Sequence, residues 1–100
     1  MNFYNLCEKY LQDLGDEIEK MDVDSNLEID YSDGILNIKI IADNKIFVIN
    51  RNAGNQKIWY SSPFSGANYF AYSQTLNQFI SNNNEELKSF LLKELKNYLT

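Results

Sequence analysis

The 100-residue sequence contains no histidine, one cysteine, one proline, one arginine and four glycines. Histidine is the side chain that most often moves protons near neutrality, and its absence removes the usual base of nucleophilic catalysis. With Cys7 alone there is no internal disulfide and no redox pair, which fits a reducing compartment. Cys7 itself falls on the apolar stripe of a predicted helix, where a thiolate is disfavoured, and reads as core filler. Gly15, Gly34, Gly54 and Gly66 never cluster into a loop that could cradle phosphate. No apolar run reaches the ~18 residues of a membrane span, and the chain opens on a helical pattern instead of a basic, apolar leader. The expectation is a protein without an active site, acting in the cytoplasm. Eight lysines to one arginine, with fourteen asparagines, further suggest an AT-rich bacterial genome.

What the chain has is apolar residues, aromatic residues and an uneven charge. At 44% hydrophobic and 14% aromatic it can offset its ordering entropy by burial, and its length predicts a single domain over residues 1–100. Ten of the fourteen acidic residues lie between Glu8 and Asp33, opposed there only by Lys9 and Lys20. The first 33 residues therefore carry a formal −8, and the remaining 67, with four acids and seven bases, carry +3. Such a surface repels phosphate, so nucleic acid is excluded, and it calls for a cationic partner: a metal ion, a basic protein face, or both.

The period of the apolar residues places these charges. Phe3, Leu6, Cys7, Tyr10, Leu11, Leu14, Ile18 and Met21 follow the spacing of one helical face, which leaves Glu8, Gln12, Asp16 and Glu19 outside. From Leu27 the period falls to two, with Glu28 and Asp30 outward on a half-buried strand. Asp33-Gly34 predicts a type I′ hairpin turn into Ile35–Ile41. Further antiparallel strands are predicted at 46–50, 56–61 and 68–72, with a last short one at 78–81. The closing stripe of Leu87, Phe90, Leu91, Leu95, Tyr98 and Leu99 predicts a second helix, with Asn83 as its N-cap and Glu86 three positions on. The fold class is α+β: a two-layer sandwich with both helices on one face of a five- or six-stranded antiparallel sheet.

Two groups of residues stand out as candidate sites. Asp16, Glu19, Asp22, Asp24, Glu28 and Asp30 come from the first helix, its following connection and the first strand, and should converge on one edge. Singly they read as solubilising charges; together their self-repulsion is relieved by a hard cation held weakly through oxygen, such as Fe²⁺, Fe³⁺, Mn²⁺ or Ca²⁺. Glu28 and Asp30 could imitate the carboxylate pair of a hydrolase, but an exposed strand face lacks the enclosure that separates two carboxylate pKa values. The second group surrounds Trp59. Lys57 and Trp59 share one parity, which places the tryptophan on the open sheet face while Ile58 and Tyr60 enter the core. An exposed tryptophan suggests a binding hot spot, against the simpler alternative that it packs across Asn50 or Tyr69.

Three segments carry a family resemblance that spans nearly the whole chain. Ile58-Trp59-Tyr60-Ser61-Ser62-Pro63-Phe64-Ser65-Gly66 with the preceding Asn55, Asp30-Tyr31-Ser32-Asp33-Gly34-Ile35-Leu36, and Val48-Ile49-Asn50-Arg51 resemble the frataxins, specifically the bacterial CyaY type. The acidic first helix and strand correspond to that family's acidic ridge. The chain departs from common family patterns in having Lys57 where many relatives have glutamine, Tyr69 where eukaryotic members often have arginine, Ala71 after Phe70, Gln78 near a usual second tryptophan, and no histidine. The resemblance implies a regulator of iron-sulfur cluster assembly that holds iron weakly on the ridge and docks, as a monomer, on a cysteine desulfurase and its scaffold protein. In that scheme Asn50, Arg51, Asn55, Lys57 and Trp59 make the contacts on the sheet side. The alternatives are an iron-storing, ferroxidase-like oligomer and an acidic adaptor for another basic protein.

Overall fold

The helical spacing from Phe3 folds as a single helix, α1 (Phe3–Met21), in the computed structural model, which describes residues 2–99. Asn2 caps it by accepting the Asn5 N–H at 2.8 Å, and Cys7, Leu11, Leu14, Gly15 and Ile18 form its buried face. The chain then makes six strands, β1 (Leu27–Ser32), β2 (Ile35–Ile40), β3 (Lys45–Asn52), β4 (Lys57–Ser62), β5 (Gly66–Ser73) and β6 (Gln78–Ile80). They lie in sequence order, each antiparallel to the next, as hairpin connections require. A second helix, α2 (Leu87–Glu94), and one 3₁₀ turn, Lys96–Tyr98, complete the described chain.

Asp33 and Gly34 both have positive φ, 48° and 78°, and pair Ser32 with Ile35 across the two-residue turn predicted from Asp-Gly. Gly34 has a second reason to be glycine, because a Cβ there would lie 2.5 Å from the Arg51 guanidinium. Along β2, β3 and β4 the inward residues Leu36, Ile38, Ile40, Phe47, Ile49, Ile58 and Tyr60 are all fully buried against the helices. Tyr60 meets Phe47, Phe70 and Phe90 through tilted or edge-on rings, the geometry that aromatic quadrupoles favour.

The start of α2 differs from the sequence-based expectation. Its N-cap is Glu86 in place of Asn83, and the Glu86 carboxylate accepts the N–H groups of Lys88 and Ser89 at 2.9 and 3.0 Å. The reason is tertiary: a β-bridge between Ile80 and Glu86 holds Glu86 extended. The asparagines before it close a separate turn around Ser81, whose hydroxyl accepts from Asn83 and Glu85. Near its C-terminal end α2 is tied to the sheet through Glu94, which accepts the Tyr60 hydroxyl at 2.5 Å and the Ser62 hydroxyl at 3.0 Å. The same Ser62 oxygen accepts the N–H groups of Phe64 and Ser65, so the Ser62-Pro63-Phe64-Ser65 loop is fixed from beneath.

Candidate functional site: an acidic edge beside an open sheet face

The acidic edge is built where the last turns of α1 run beside β1, the outermost strand of the sheet. A groove there is lined by Glu19, Asp22, Ser25, Leu27, Glu28, Ile29 and Asp30. A second groove shares Glu19 and Ile29 with it and adds Gln12, Gly15, Asp16 and Tyr31. The fold thus brings five of the six predicted carboxylates to one edge; Asp24, exposed on the α1–β1 connection, lines neither groove. Among the described residues no three of these side chains are close enough to cage a metal ion. The donors are nonetheless all hard oxygens, so what the edge offers a cation is shared charge with an incomplete coordination shell.

The carboxylates do different work. Asp22 is half-buried, and its two oxygens accept the N–H groups of Asn26 and Leu27, both at 2.9 Å, which fixes the turn from α1 into β1. Glu28 lies 3.9 Å from the Lys39 ammonium, a surface contact of small energetic weight. Of the other acids on α1, Asp13 pairs with Lys9 at 3.0 Å and Glu17 with Lys88 of α2. Asp16, Glu19, Glu28 and Asp30 are exposed. Asp22→Ala is accordingly expected to cost about 2 kcal/mol, since it removes two charge-assisted hydrogen bonds from a defined turn. Asp24→Ala should stay within about 0.5 kcal/mol. Chemical denaturation checks both, and equal costs would mean that Asp22 does not organise the turn.

The sheet's uncovered face is the second component. Asn50, Trp59 and Tyr69 stand in line across β3, β4 and β5, and Lys57 is opposite Asn52 on the same side. Parity placed Trp59 correctly, but the ring is half-buried, not fully exposed: its centroid is 4.9 Å from that of Tyr69, edge to face. Asn55 sits in the β3–β4 turn, where its side chain accepts the Lys57 N–H at 3.1 Å. The open face also carries Ile35, Ile46 and Val48, paired across β2, β3 and β4 with Asn50, Lys39 and Asn37 or Ser61. Ile35 and Ile46 are 41% and 47% exposed, Ile35 directly across from Asn50 and Ile46 near the start of β3. The sequence reading did not single them out, although the parity that placed Trp59 also places them.

Arg51 corrects an expectation. It shares parity with Phe47 and Ile49, so its side chain turns to the helix side of the sheet, away from Trp59. There its guanidinium carbon lies 3.9 Å from the centroid of the Tyr4 ring and one terminal nitrogen lies 3.6 Å from Asp33. Only 15% of the side chain is exposed, so Arg51 pins the start of α1 to the first hairpin and adds nothing to the sheet face. Cys7 is fully buried, and burial pushes its thiol up to about 11, partly offset by the charge of Arg51. That is the setting of an inert core thiol.

Set against known proteins, residues 1–100 match the family model of the frataxin-like domain. The mitochondrial frataxin of Arabidopsis thaliana is 33% identical over 94 residues, 93% of this chain and 47% of that protein. The mitochondrial frataxin homolog of Drosophila melanogaster is 30% identical over 78 residues, 74% of this chain and 41% of its own length. The chain thus spans less than half the length of these curated relatives. Among solved structures, a frataxin from Psychromonas ingrahamii, studied within the CyaY protein family, superposes with a TM-score of 0.80 at 19% identity, covering 97% of this chain and 91% of that one. A trimeric frataxin from the yeast Saccharomyces cerevisiae complexed with ferrous iron gives 0.77 at 28% identity, over 94% of this chain and 85% of that one.

Proposed function

Since the chain belongs to the frataxin family, we propose that it is an iron-binding regulator of iron-sulfur cluster assembly in the bacterial cytoplasm, with no catalytic site of its own. In this reading iron is cargo held weakly at the acidic edge, and the partner is a cysteine desulfurase with its scaffold protein. The observation that supports it best is the adjacency of two unlike surfaces. The acidic edge along α1 and β1 suits a basic protein face, and the flanking sheet face, with Asn50, Lys57, Trp59 and Tyr69, suits a less charged one. A protein built this way can bridge two components without transforming either.

Titration with Fe²⁺ under anaerobic conditions is expected to shift amide signals between Asp16 and Asp30 and to leave α2 unmoved. Shifts confined to α2 or to the surroundings of Cys7 would remove iron from the ridge. For the partner, capture from native bacterial cytosol should recover the desulfurase, in amounts that fall steeply with salt as the Debye length shrinks from ~10 Å at 0.1 M to ~3 Å at 1 M. Reversing Asp24 and Asp30 to lysine should have the same effect at low salt without touching the hydrogen bonds of Asp22. Recovery of an unrelated basic protein instead would support the adaptor reading. The trimeric yeast relative motivates one further alternative, an iron-storing oligomer. Oxygen consumption with Fe²⁺ together with a concentration-dependent sedimentation coefficient would favour it over the monomer proposed here.

A further inference from the structure

The backbone of β1 offers more than its carboxylates do. Hydrogen bonding in an antiparallel pair alternates, so one bond fixes the phase of a whole strand. The Arg51 N–H donates to the Gly34 carbonyl at 2.9 Å, which directs Gly34, Leu36, Ile38 and Ile40 toward β3 and leaves Ile35, Asn37 and Lys39 to β1. The Ile41 N–H donates to the Asn26 carbonyl at 3.1 Å, which gives the same phase from the opposite end. Asn26, Glu28, Asp30 and Ser32 therefore spend their backbone groups on β2, and Leu27, Ile29 and Tyr31 turn theirs outward. The Leu27 N–H is taken by Asp22 at 2.9 Å. Among the described residues nothing takes the N–H groups of Ile29 and Tyr31, and both residues line the grooves at this edge.

A free strand edge is a template for another strand. We propose that the outer edge of β1 receives an extended, lysine- and arginine-rich segment of a protein partner as a seventh strand, bonded to the backbone of Ile29 and Tyr31. The proposal rests on the reading of the ridge as a docking surface and specifies how the docking is done. The charges name the occupant. Side chains of an added strand alternate between the faces of the sheet. On the open face they meet Glu28 and Asp30, and on the helix face they meet Asp16 and Glu19, so basic residues are favoured at both parities. A second copy of this chain is disfavoured at the same place, because it would set Glu28 and Asp30 against their own duplicates.

The test uses the full chain and a peptide of about ten arginine, lysine and threonine residues with charge on both faces, beside a control of identical charge whose backbone nitrogens are all methylated. Edge pairing predicts that the unmodified peptide slows exchange of the Ile29 and Tyr31 amides about tenfold while those of Glu28 and Asp30, already bonded to β2, stay unchanged. It also predicts that methylation weakens binding by about tenfold or more. Equal affinity for the two peptides, or binding with no protection at Ile29 and Tyr31, overturns strand addition and leaves a ridge that docks by charge alone. Failure of the peptide to bind while the desulfurase is still captured also overturns it, and the proposed function stands. Failure of capture is a separate result that strikes the proposed function.

Discussion

Ile58→Ala is expected to lose about 2 to 5 kcal/mol of stability, while Trp59→Ala, one residue on, loses about 0.5 to 1.5 kcal/mol and weakens partner binding about thirty-fold. Ile58 is fully buried and faces the helices, so truncation leaves a cavity that the surrounding Phe70, Ile49 and Tyr60 cannot close. Trp59 faces the other way, where truncation forfeits an edge-on contact with Tyr69 and some half-buried surface. Its larger consequence is for whatever covers the sheet, since an aromatic anchor at the centre of an interface commonly carries ~2 kcal/mol or more. Urea unfolding of both variants, with titration against the desulfurase complex, separates the two effects. If Trp59→Ala binds as the parent does, the open face is not the docking surface, whatever its stability shows.

Strand parity makes this contrast legible in the sequence. Successive strand residues must alternate in direction, so Lys57 in water commits Trp59 to water and Ile58 and Tyr60 to the core. Arg51 shows the limit of the resemblance, which puts it beside Asn50 on the sheet side, whereas its pairing with Ile58 sends it to the helix side. One position along a strand reverses the face. The helical stripe of α1 was equally legible, since nineteen residues give several full turns of period 3.6.

Other features lay outside the reach of local pattern. Asn83 and Glu86 satisfy the spacing of a helix start, and only the bridge from Ile80 shows why the helix waits until Leu87. Asp22 looks like any other ridge acid in sequence, yet it closes the turn with both oxygens. The joining of Glu19 to Glu28 and Asp30 in one groove depends on α1 crossing over β1, which a charge count can suggest and cannot locate. The resemblance of Ser62-Pro63-Phe64-Ser65 to a family signature likewise did not reveal its local task. Ser62 and Glu94 tie that loop to α2, a contact across more than thirty residues of chain.

Alkaline unfolding gives the second large effect, and its sign follows from two buried groups, Cys7 and Tyr60, and the half-buried Tyr10. Burial, and then the hydrogen bond to Glu94, push the Tyr60 hydroxyl well above its ordinary 10.0. Burial, and then the charge of Glu86, do the same to Tyr10. Burial pushes Cys7 from 9.0 up to about 11. Each group is neutral in both states at low pH, so its stabilising share is complete below the unfolded pKa. Above that value the unfolded chain releases a proton that the folded chain keeps, and stability falls by about 1.4 kcal/mol per pH unit for each group. Cys7 acts between pH 9 and 11, the tyrosines from pH 10 upward. By about pH 11 the combined loss reaches roughly 5 kcal/mol, comparable with the whole stability of a small domain. Tyr60→Phe should start lower at pH 7, because Glu94 loses one of its two hydroxyl donors, yet its stability should fall less steeply above pH 10, by about 1.4 kcal/mol per pH unit. Lysine deprotonation affects both proteins alike and cancels in the difference between slopes. Identical slopes for parent and variant would show that Tyr60 releases its proton as readily in the folded protein as in the unfolded chain, and that the Tyr60–Glu94 tie is open in solution.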